Sequence, residues 1–326
     1  MVEKIRLSIG TAIQMGLESG DLNECFSTAF LMTYSEGKCS ANCAFCPQAR
    51  ESSSASDRLS RISWPIYTLD EVVERFSEDL PFKRACIQVL NLPRIFEIVE
   101  QIVIRLRDRI DIPISVSIHP LSTEEMMRLH EAGATSIGIA LDACTEKIFN
   151  RIKGRERGST YRWETHIEAL SNALEVFGEG NVATHLIVGL GESEEEVIRF
   201  LKEMKRLKIR VGLFAFTNIR GTALEHWSQP DLSTYRRVQV VHYLLNNGIL
   251  NDDQIRSAQT GEIQLDLSPD HLKEILSSGT AFQTSGCKDC NRPYYNERPS
   301  GPLYNYPRPL KQEEVEEAIA ATGLVS

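Results

Sequence analysis

The feature that most constrains the fold of this 326-residue chain is a regular alternation of short apolar runs with longer amphipathic runs. The apolar runs have the length and composition of buried strands, and the amphipathic runs have helical periodicity. Predicted strands lie at 26–34, 84–90, 112–118, 135–141, 181–192 and 210–216, and predicted helices at 70–79, 94–109, 122–133, 145–152, 161–177, 193–207 and 234–247. Strand–helix units of this kind form a parallel sheet, and six or more of them favour a (β/α) barrel, complete or partial, in an α/β fold.

Three regions follow from this pattern. Residues 1–25 are expected to form an N-terminal helical extension, residues 26–283 the barrel, and residues 284–326 an irregular C-terminal tail that ends in a short helix. The tail sequence TSGCKDCNRPYYNERPSGPLYNYPRPL holds five prolines, so it can form neither a helix nor a central strand.

Composition excludes several classes of function. The formal net charge of −9 argues against a nucleic-acid partner, which requires a basic face. No apolar run approaches the roughly 20 residues of a membrane-spanning helix, and the start MVEKIRLSIGTAIQ lacks the apolar core and cleavage site of a signal peptide. We therefore expect a cytoplasmic protein without a membrane or nucleic-acid partner, whose clustered cysteines bind metal or carry out redox chemistry.

Three cysteines lie close together directly after the first predicted strand: Cys39, Cys43 and Cys46 in CSANCAFC. In a (β/α) barrel the reactive residues stand at the carboxyl ends of the strands. Gaps of three and two residues, with no fourth cysteine soon after, suit an iron–sulfur cluster better than a closed tetrahedral zinc site. Three ligands leave one iron with an open coordination position, which a chemical role requires.

This cysteine pattern resembles the signature of the radical S-adenosylmethionine (SAM) superfamily, and Phe45 matches the aromatic residue that precedes its third cysteine. The resemblance implies that the three cysteines hold a 4Fe–4S cluster whose fourth iron binds SAM. It also implies that reductive cleavage of SAM yields a radical that removes a hydrogen atom from the substrate. Similar segments imply further cofactor-binding residues, namely Gly189, Gly191 and Glu192 in IVGLGE, and Asp142 at the end of SIGIALD.

Within this superfamily the chain resembles biotin synthase, in the CPQ that begins at Cys46 and through the segment 30–225. Biotin synthase carries a second cluster inside its barrel, held by cysteines on three strands and an arginine. Of these cysteines only Cys86 has a counterpart here, because the predicted strands 112–118 and 181–192 contain none. The resemblance therefore does not extend to the synthesis of biotin.

A replacement set of metal ligands is expected from Cys287, Cys290 and Cys25, with Ser300 as a fourth. The pair lies in the tail and Cys25 precedes the first strand, and the first and last strands of a closed barrel are neighbours. Three cysteines with a non-cysteine ligand resemble the auxiliary 4Fe–4S cluster of lipoyl synthases. The layout of barrel and tail resembles one subunit of the archaeal-type two-component lipoyl synthase, with the tail covering the barrel mouth and carrying this cluster.

The lipoyl synthase resemblance implies a sulfurtransferase that inserts sulfur at C6 and C8 of an octanoyl chain, with the auxiliary cluster sacrificed as sulfur donor. It implies three partners: an octanoylated lipoyl carrier protein (H-protein or the lipoyl domain of a dehydrogenase E2 subunit), a second radical SAM subunit, and an electron donor such as ferredoxin.

Other interpretations of the cysteines remain open from the sequence. Cys287 and Cys290 also fit half of a zinc knuckle or a dithiol redox pair. Cys25, Cys86 and Cys144 also fit buried positions at which a cysteine acts as a small apolar side chain.

The same holds for the carboxylates and for the reaction. Glu192 also fits an acid stabilised by a helix N-terminus, and Asp142 also fits a solvated cap of the next helix. Two alternative functions are a biotin-synthase-like radical SAM enzyme of another reaction (mutase, cyclisation or methylthio transfer) and a single-cluster protein whose tail holds structural zinc.

Overall fold

The structure is a computed structural model that describes residues 2–77, 79–257 and 263–325. Its strands are β1 (Lys4–Leu7), β2 (Thr28–Thr33), β3 (Arg58–Leu59), β4 (Ile62–Ser63), β5 (Ile66–Thr68), β6 (Arg84–Gln88), β7 (Ile114–Ser117), β8 (Ser136–Gly138), β9 (Val182–Val188), β10 (Arg210–Ala215), β11 (Ile255–Ser257) and β12 (Ile263–Leu265). Its helices are α1 (Ile9–Gln14), α2 (Leu69–Arg75), α3 (Ile95–Arg107), α4 (Thr123–Glu131), α5 (Glu146–Ile152), α6 (Trp163–Phe177), α7 (Glu194–Arg206), α8 (Leu232–Asn246), α9 (Pro269–Leu276) and α10 (Gln312–Thr322).

Eight strands form the main sheet in the order β10-β9-β8-β7-β6-β2-β1-β5. The six strands from β2 to β10 are parallel, and helices connect them, as the alternation in the sequence predicts. The predicted (β/α) barrel is therefore confirmed in its partial form. Among the described residues no strand pairing joins β10 to β1 or β5, so the barrel is open on one side.

The predicted helical extension at the N-terminus is wrong in its first part. Residues Lys4–Leu7 form β1, which pairs antiparallel with β2 and with β5, and only the six-residue α1 is helical. Three of the four residues of β1 are buried. Its burial against β2 decides the conformation, since β-structure depends on packing more than on local preference.

Local sequence explains where the barrel elements begin and end. All six residues of β2 are buried, as expected for a parallel strand covered on both faces. The helices α2, α4 and α7 start with reciprocal capping boxes, Thr68 with Glu71, Ser122 with Glu125 and Ser193 with Glu196. These caps fix the helix starts and thereby the loops at the carboxyl ends of β5 and β9 and after β7.

The C-terminal tail closes the open side of the barrel. At β10, Ser285 Oγ accepts from Leu213 N at 3.0 Å and Asn296 Nδ2 donates to Ala215 O at 3.0 Å. On the opposite margin, Asn291 Oδ1 accepts from Ser27 N at 3.1 Å, just before β2. The tail thus runs along the side of the barrel from its amino end to its carboxyl end, which corrects the expectation that it only covers the mouth.

No described helix combines the length and the apolar character that crossing a bilayer requires.

Candidate active site

The loop with the three clustered cysteines folds back on itself at the carboxyl end of β2. Cys39 N donates to Gln48 O at 2.9 Å, and Cys46 N donates to Cys43 O at 3.0 Å. Lys38 Nζ donates to two further carbonyls of the loop region, at 2.8 and 2.6 Å. These bonds hold the backbone in a curve with the three thiols on its inner side, where they line one cavity.

The electrostatics of this loop favour a buried anionic group. Burial raises the pKa of Cys43 to about 12 and also raises the pKa of Cys39 and Cys46, so the free thiols resist ionisation. The ammonium of Lys153 acts in the opposite direction on Cys43. A buried cation beside three thiols suits a group that binds them as thiolates.

Lys153 and Asp142 form a buried ion pair beside the cysteine loop. Lys153 Nζ lies 2.7 Å from Asp142 Oδ2, and the side chains are 5% and 11% exposed. Asp142, one of the expected cofactor-binding residues, lies at the cavity wall with one oxygen bonded to Lys153, at a backbone φ of 61°. It does not cap a helix, since Thr145 caps α5.

The cysteine loop borders a cavity of about 160 Å³. Besides Cys39, Cys43 and Cys46 its walls include Phe45, Asp142, Lys153, Tyr161 and His119. His119 Nδ1 is buried without a hydrogen-bond partner, and burial lowers the pKa of this imidazole. An unpaired buried nitrogen facing this cavity is expected where a polar ligand binds.

The three thiols and this cavity fit a 4Fe–4S cluster with SAM by the chemistry of their donors. Within the described ranges, no three His, Cys, Asp or Glu side chains already stand in metal-ligating geometry. A cluster would therefore have to draw the sulfurs together, which the open curve of the loop permits.

The segment Gly189–Glu192 lines neither this cavity nor a larger cavity inside the barrel. The Glu192 carboxylate turns back to its own loop, where it accepts from Gly189 N and, at 2.9 Å, from Leu190 N. Gly189 has φ of 108° and a Cβ there would lie 2.8 Å from Pro230 Cδ, while Gly191 packs against Arg151. The structure thus gives these three residues a role in shaping the loop after β9 and does not bring them to the cysteines.

A second and larger cavity, of about 250 Å³, continues from the cysteine loop into the barrel. Cys46 and Asp142 line both cavities. Most of the remaining wall is apolar, with Phe30, Phe45, Leu59, Ala183, Ile187, Phe214, Phe216 and Ile219 among its side chains. This central cavity leads toward the amino end of the barrel.

Three further cysteines meet at the far part of the central cavity. Cys86 on β6 and the tail residues Cys287 and Cys290 all line it, and each of the two tail thiols acts electrostatically on Cys86. This is the amino end of the barrel, because the carbonyl of Lys288 accepts from Arg84, the first residue of β6, at 3.1 Å. The central cavity therefore has cysteines near both of its ends.

Cys25 and Ser300 do not join this group. The backbone of Cys25 does meet the tail, since Asn291 Nδ2 donates to its carbonyl at 2.8 Å, but its side chain is exposed and lines neither cavity. Ser300 is exposed near the turn at Gly301. In the structure Cys86, and not Cys25, lies beside the tail pair, Ser300 lines neither cavity, and Cys144 is buried elsewhere.

Two buried hydroxyls, those of Thr28 and Tyr295, lie beside the far cysteines. The hydroxyl of Thr28 contacts the thiol of Cys290, and the hydroxyl of Tyr295 contacts Ser8. Tyr295 is also within electrostatic reach of Cys86 and Cys290. The far thiols therefore have polar neighbours within a mostly apolar wall.

Cationic and neutral side chains complete the wall at this end. Arg292 stacks with its guanidinium carbon 3.8 Å from the centroid of Phe214, and its Nη2 donates to Ser285 O at 2.9 Å. His185 packs against Phe214 at 5.0 Å, and burial lowers the pKa of His185 to about 4, so it is neutral at pH 7.

The sequence alone does not indicate a site role for Lys153, Tyr295 or Arg292. Lys153 lies in the polar run RIKGRER after a helix, and Tyr295 and Arg292 lie in a tail without periodicity, so no sequence signal separates them from surface residues. Cys86 did carry a signal, because it was the single barrel cysteine with a counterpart in biotin synthase.

Similarity to known sequences shows the class of protein to which the chain belongs. The sequence model of the Radical SAM superfamily matches residues 36–204, which is more than half of the chain. The chain belongs to the radical SAM superfamily. It is accordingly a radical SAM enzyme, and the family implies a 4Fe–4S cluster and SAM.

More specific similarity is to biotin synthases. The biotin synthase of Pelotomaculum thermopropionicum is 26% identical over 236 residues, which cover 66% of this chain and 69% of the relative. The biotin synthase of Coxiella burnetii is 23% identical over 72% of this chain and 71% of the relative. For the biotin synthase of Acetivibrio thermocellus the match spans only 57% of the relative at 26% identity.

Solved structures share the fold. Methylornithine synthase aligns with a TM-score of 0.52 and 14% identity, covering 72% of this chain and 67% of that chain. A FeFe-hydrogenase maturase from Carboxydothermus hydrogenoformans aligns with a TM-score of 0.51 and 16% identity, covering 74% and 56%. At these identities the alignments support the barrel fold alone.

Proposed function

We propose that this protein is a radical SAM sulfurtransferase of the lipoyl synthase type, which inserts sulfur into an octanoyl chain on a lysine of a carrier protein. The observation that carries the proposal is the central cavity, an apolar space with Cys46 at one end and Cys86, Cys287 and Cys290 at the other. A chain held in this space would lie between two possible cluster sites.

At the carboxyl end, Cys39, Cys43 and Cys46 would hold the 4Fe–4S cluster and SAM, which together supply the radical chemistry. The residues around them do the binding. Lys153 would balance the negative charge of a thiolate-bound cluster, and His119 Nδ1 would offer an unused hydrogen-bonding atom to a polar ligand in the adjoining cavity. A carbon radical is needed because no group near the octanoyl C6 and C8 makes their hydrogens acidic.

At the amino end, Cys86, Cys287 and Cys290 would hold an auxiliary iron–sulfur cluster that donates the sulfur. Two observations support this: the three thiols line one cavity, and two buried hydroxyls lie beside them. Cys86 also resembles, by its position in the sequence, a ligand of the internal cluster of biotin synthase. A zinc half-knuckle at the pair alone would not explain why Cys86 faces it.

The cavity wall suits an acyl chain. Its side chains are mostly apolar, and the few polar groups, such as His185, are neutral or paired. Burying a saturated chain here stabilises binding by roughly 0.8 kcal/mol per methylene. The tail seals the open side of the barrel, which keeps water from a reactive intermediate.

The carrier protein, a second radical SAM subunit and an electron donor such as ferredoxin belong to this proposal as partners. The carrier follows from the substrate, because an octanoyl chain on a lysine must enter from the carboxyl end of the barrel. The other two follow from the resemblance to the two-component enzyme.

The test is a single-turnover reaction with labelled sulfide. The protein is reconstituted anaerobically with iron and isotope-labelled sulfide, then mixed with SAM, dithionite and an octanoyl-lysine peptide. Mass spectrometry should show labelled sulfur in the peptide together with 5′-deoxyadenosine. The Cys86→Ala variant should still cleave SAM but transfer no sulfur, and the Cys144→Ala control should do both. SAM cleavage without sulfur transfer in the unmodified protein would exclude this function.

A further inference from the structure

A basic groove lies beside the entrance of the central cavity. Its volume is about 640 Å³, and its lining includes Arg58, Arg61, Arg220 and Ile219. Ile219 also lines the central cavity, so the groove and the cavity open next to each other. We call this surface, lined by residues 53–55, 58, 61 and 218–221, the arginine groove.

The arginine groove concentrates positive charge on a chain with a net charge of −9. Arg58, Arg61 and Arg220 line it, and Arg298 of the tail acts electrostatically on Arg61. Within the described ranges none of these four arginines forms an ion pair. Several arginines elsewhere on the surface, such as Arg105 and Arg128, do pair with a carboxylate. Unpaired like charges at one place repel each other and favour an anionic partner.

The charge on Arg61 shows this repulsion most clearly. Burial lowers the pKa of Arg61, and the neighbouring Arg298 and Arg58 lower it further, with Glu297 opposing them. Among the described residues, no Asp or Glu side chain lines the groove itself. No carboxylate of the lining therefore neutralises its positive charge.

The walls of the groove are rigid. Ser53 N donates to Gly221 O at 2.9 Å, and Ser54 Oγ donates to Arg220 O. Gly221 has φ of 83°, and a Cβ there would lie 2.6 Å from Ser54 N, so only glycine permits this contact. A preformed surface of this kind loses little entropy on binding.

We propose that the arginine groove binds an acidic surface of the carrier protein, next to the lysine whose acyl chain enters the central cavity. This inference rests on the proposed function, which supplies the acylated carrier. The positive charge of the groove favours an acidic partner. Because the groove lies beside an apolar cavity, it favours an acidic protein surface with an attached apolar chain over a free anion.

The test measures binding of two labelled octanoyl-lysine peptides to the reconstituted full-length protein by fluorescence anisotropy. One peptide has glutamates on both sides of the lysine, and the matched peptide has glutamines. At low salt we expect the glutamate peptide to bind about tenfold more tightly, with the difference shrinking as salt increases. The combined variant Arg58→Gln, Arg220→Gln and Arg298→Gln should bind both peptides equally.

A matched control carries Arg75→Gln, Arg109→Gln and Arg256→Gln, three exposed arginines away from the groove. It should keep the full preference for the glutamate peptide. Equal binding of the two peptides to the unmodified protein, or an unchanged preference in the groove variant, would overturn the proposal. So would competition by inorganic phosphate that depends on the groove arginines when no glutamate preference is seen, because that result assigns the groove to a free anion.

This result is separate from the outcome for the proposed function. A glutamate preference that depends on the groove, together with no sulfur transfer to either peptide, would support an acidic acylated partner and reject sulfur insertion. Sulfur transfer with equal KM values for both peptides would reject the groove and support sulfur insertion.

Discussion

Lys153 and Asp142 are joined by a buried ion pair, with Lys153 Nζ 2.7 Å from Asp142 Oδ2, at the junction of the two cavities. Lys153 also donates to Ala140 O at 2.7 Å, which fixes its ammonium at the end of β8. The pair thereby places one positive charge beside Cys43 and leaves one oxygen of Asp142 for a ligand. The segment after β8 thus holds the ammonium group that acts to lower the pKa of Cys43, against the effect of burial.

Replacing one member of this pair should lower the free energy of unfolding more, per substitution, than replacing both. Lys153→Met leaves the Asp142 carboxylate buried and unpaired, and we expect a loss of about 3 kcal/mol in the free energy of unfolding. Asp142→Asn should cause a similar loss by leaving the ammonium unpaired. The double variant should lose clearly less than the sum, as measured by urea denaturation. Losses that simply add would show that the two charges do not interact.

The tail depends on one buried arginine of α8. Arg236 donates to Tyr304 O at 2.6 Å and also to Leu303 O, and its side chain is almost fully buried. Arg236→Leu removes the donor from Leu303 O and leaves Tyr304 O with Gln239 Nε2 alone, at 2.9 Å. We therefore expect a loss of about 2 kcal/mol in the free energy of unfolding and faster hydrogen exchange in residues 284–306. Arg199→Leu breaks an exposed pair and should change the stability by about 0.5 kcal/mol or less. Unchanged exchange in the tail of the Arg236 variant would contradict this account.

The barrel could be predicted because each strand–helix unit has its own local pattern of apolar and polar residues, and this pattern repeats along the chain. Each of the six predicted strand segments contains an observed strand, and each of the seven predicted helix segments overlaps an observed helix. The cysteine loop was equally predictable, since three ligands in eight residues need no long-range information.

The second cysteine site was only half predictable. Cys287 and Cys290 are adjacent in sequence, but their meeting with Cys86 depends on the path of the tail along the open side of the barrel. The tail meets the segment of Cys25, as predicted, but it does so by bridging the open side of the barrel and not because the first and last strands pair. This meeting does not determine which side chain points inward, and the exposed Cys25 side chain shows this limit.

The size of the central cavity should set the length of the acyl chain. Ala183, His185 and Ile187 alternate along β9 and face the cavity. Ala183→Leu should weaken binding of octanoyl-lysine amide about tenfold, because the added methyl groups occupy the space of the chain. Binding of the butanoyl analogue should change little, and Ile187→Ala should not show this selective loss. Calorimetric titrations give these affinities, and equal weakening for both ligands would point to misfolding of the wall.

Acid sensitivity should come in part from His242 on α8. This imidazole is buried, its Nε2 lies 2.8 Å from Asn246 Nδ2, and burial lowers the pKa of His242 to about 4. The folded protein then binds fewer protons than the unfolded chain between pH 6.5 and 4, so the stabilisation is complete above pH 6.5 and is lost as the pH falls toward 4. We expect His242→Gln to reduce this loss by about 3 kcal/mol in denaturation curves across that range. A variant with the same pH dependence as the unmodified protein would refute the assignment.

The central claim is that the barrel holds a second iron–sulfur cluster at Cys86, Cys287 and Cys290. The most direct measurement is the content of iron, sulfide and zinc, with Mössbauer spectra, for the anaerobically reconstituted variant in which Cys39, Cys43 and Cys46 are alanine. This variant should keep about four irons with matching sulfide. Adding Cys86→Ala should remove them, and adding Cys25→Ala instead should not. Zinc alone, no metal, or a cluster that survives Cys86→Ala would contradict the account.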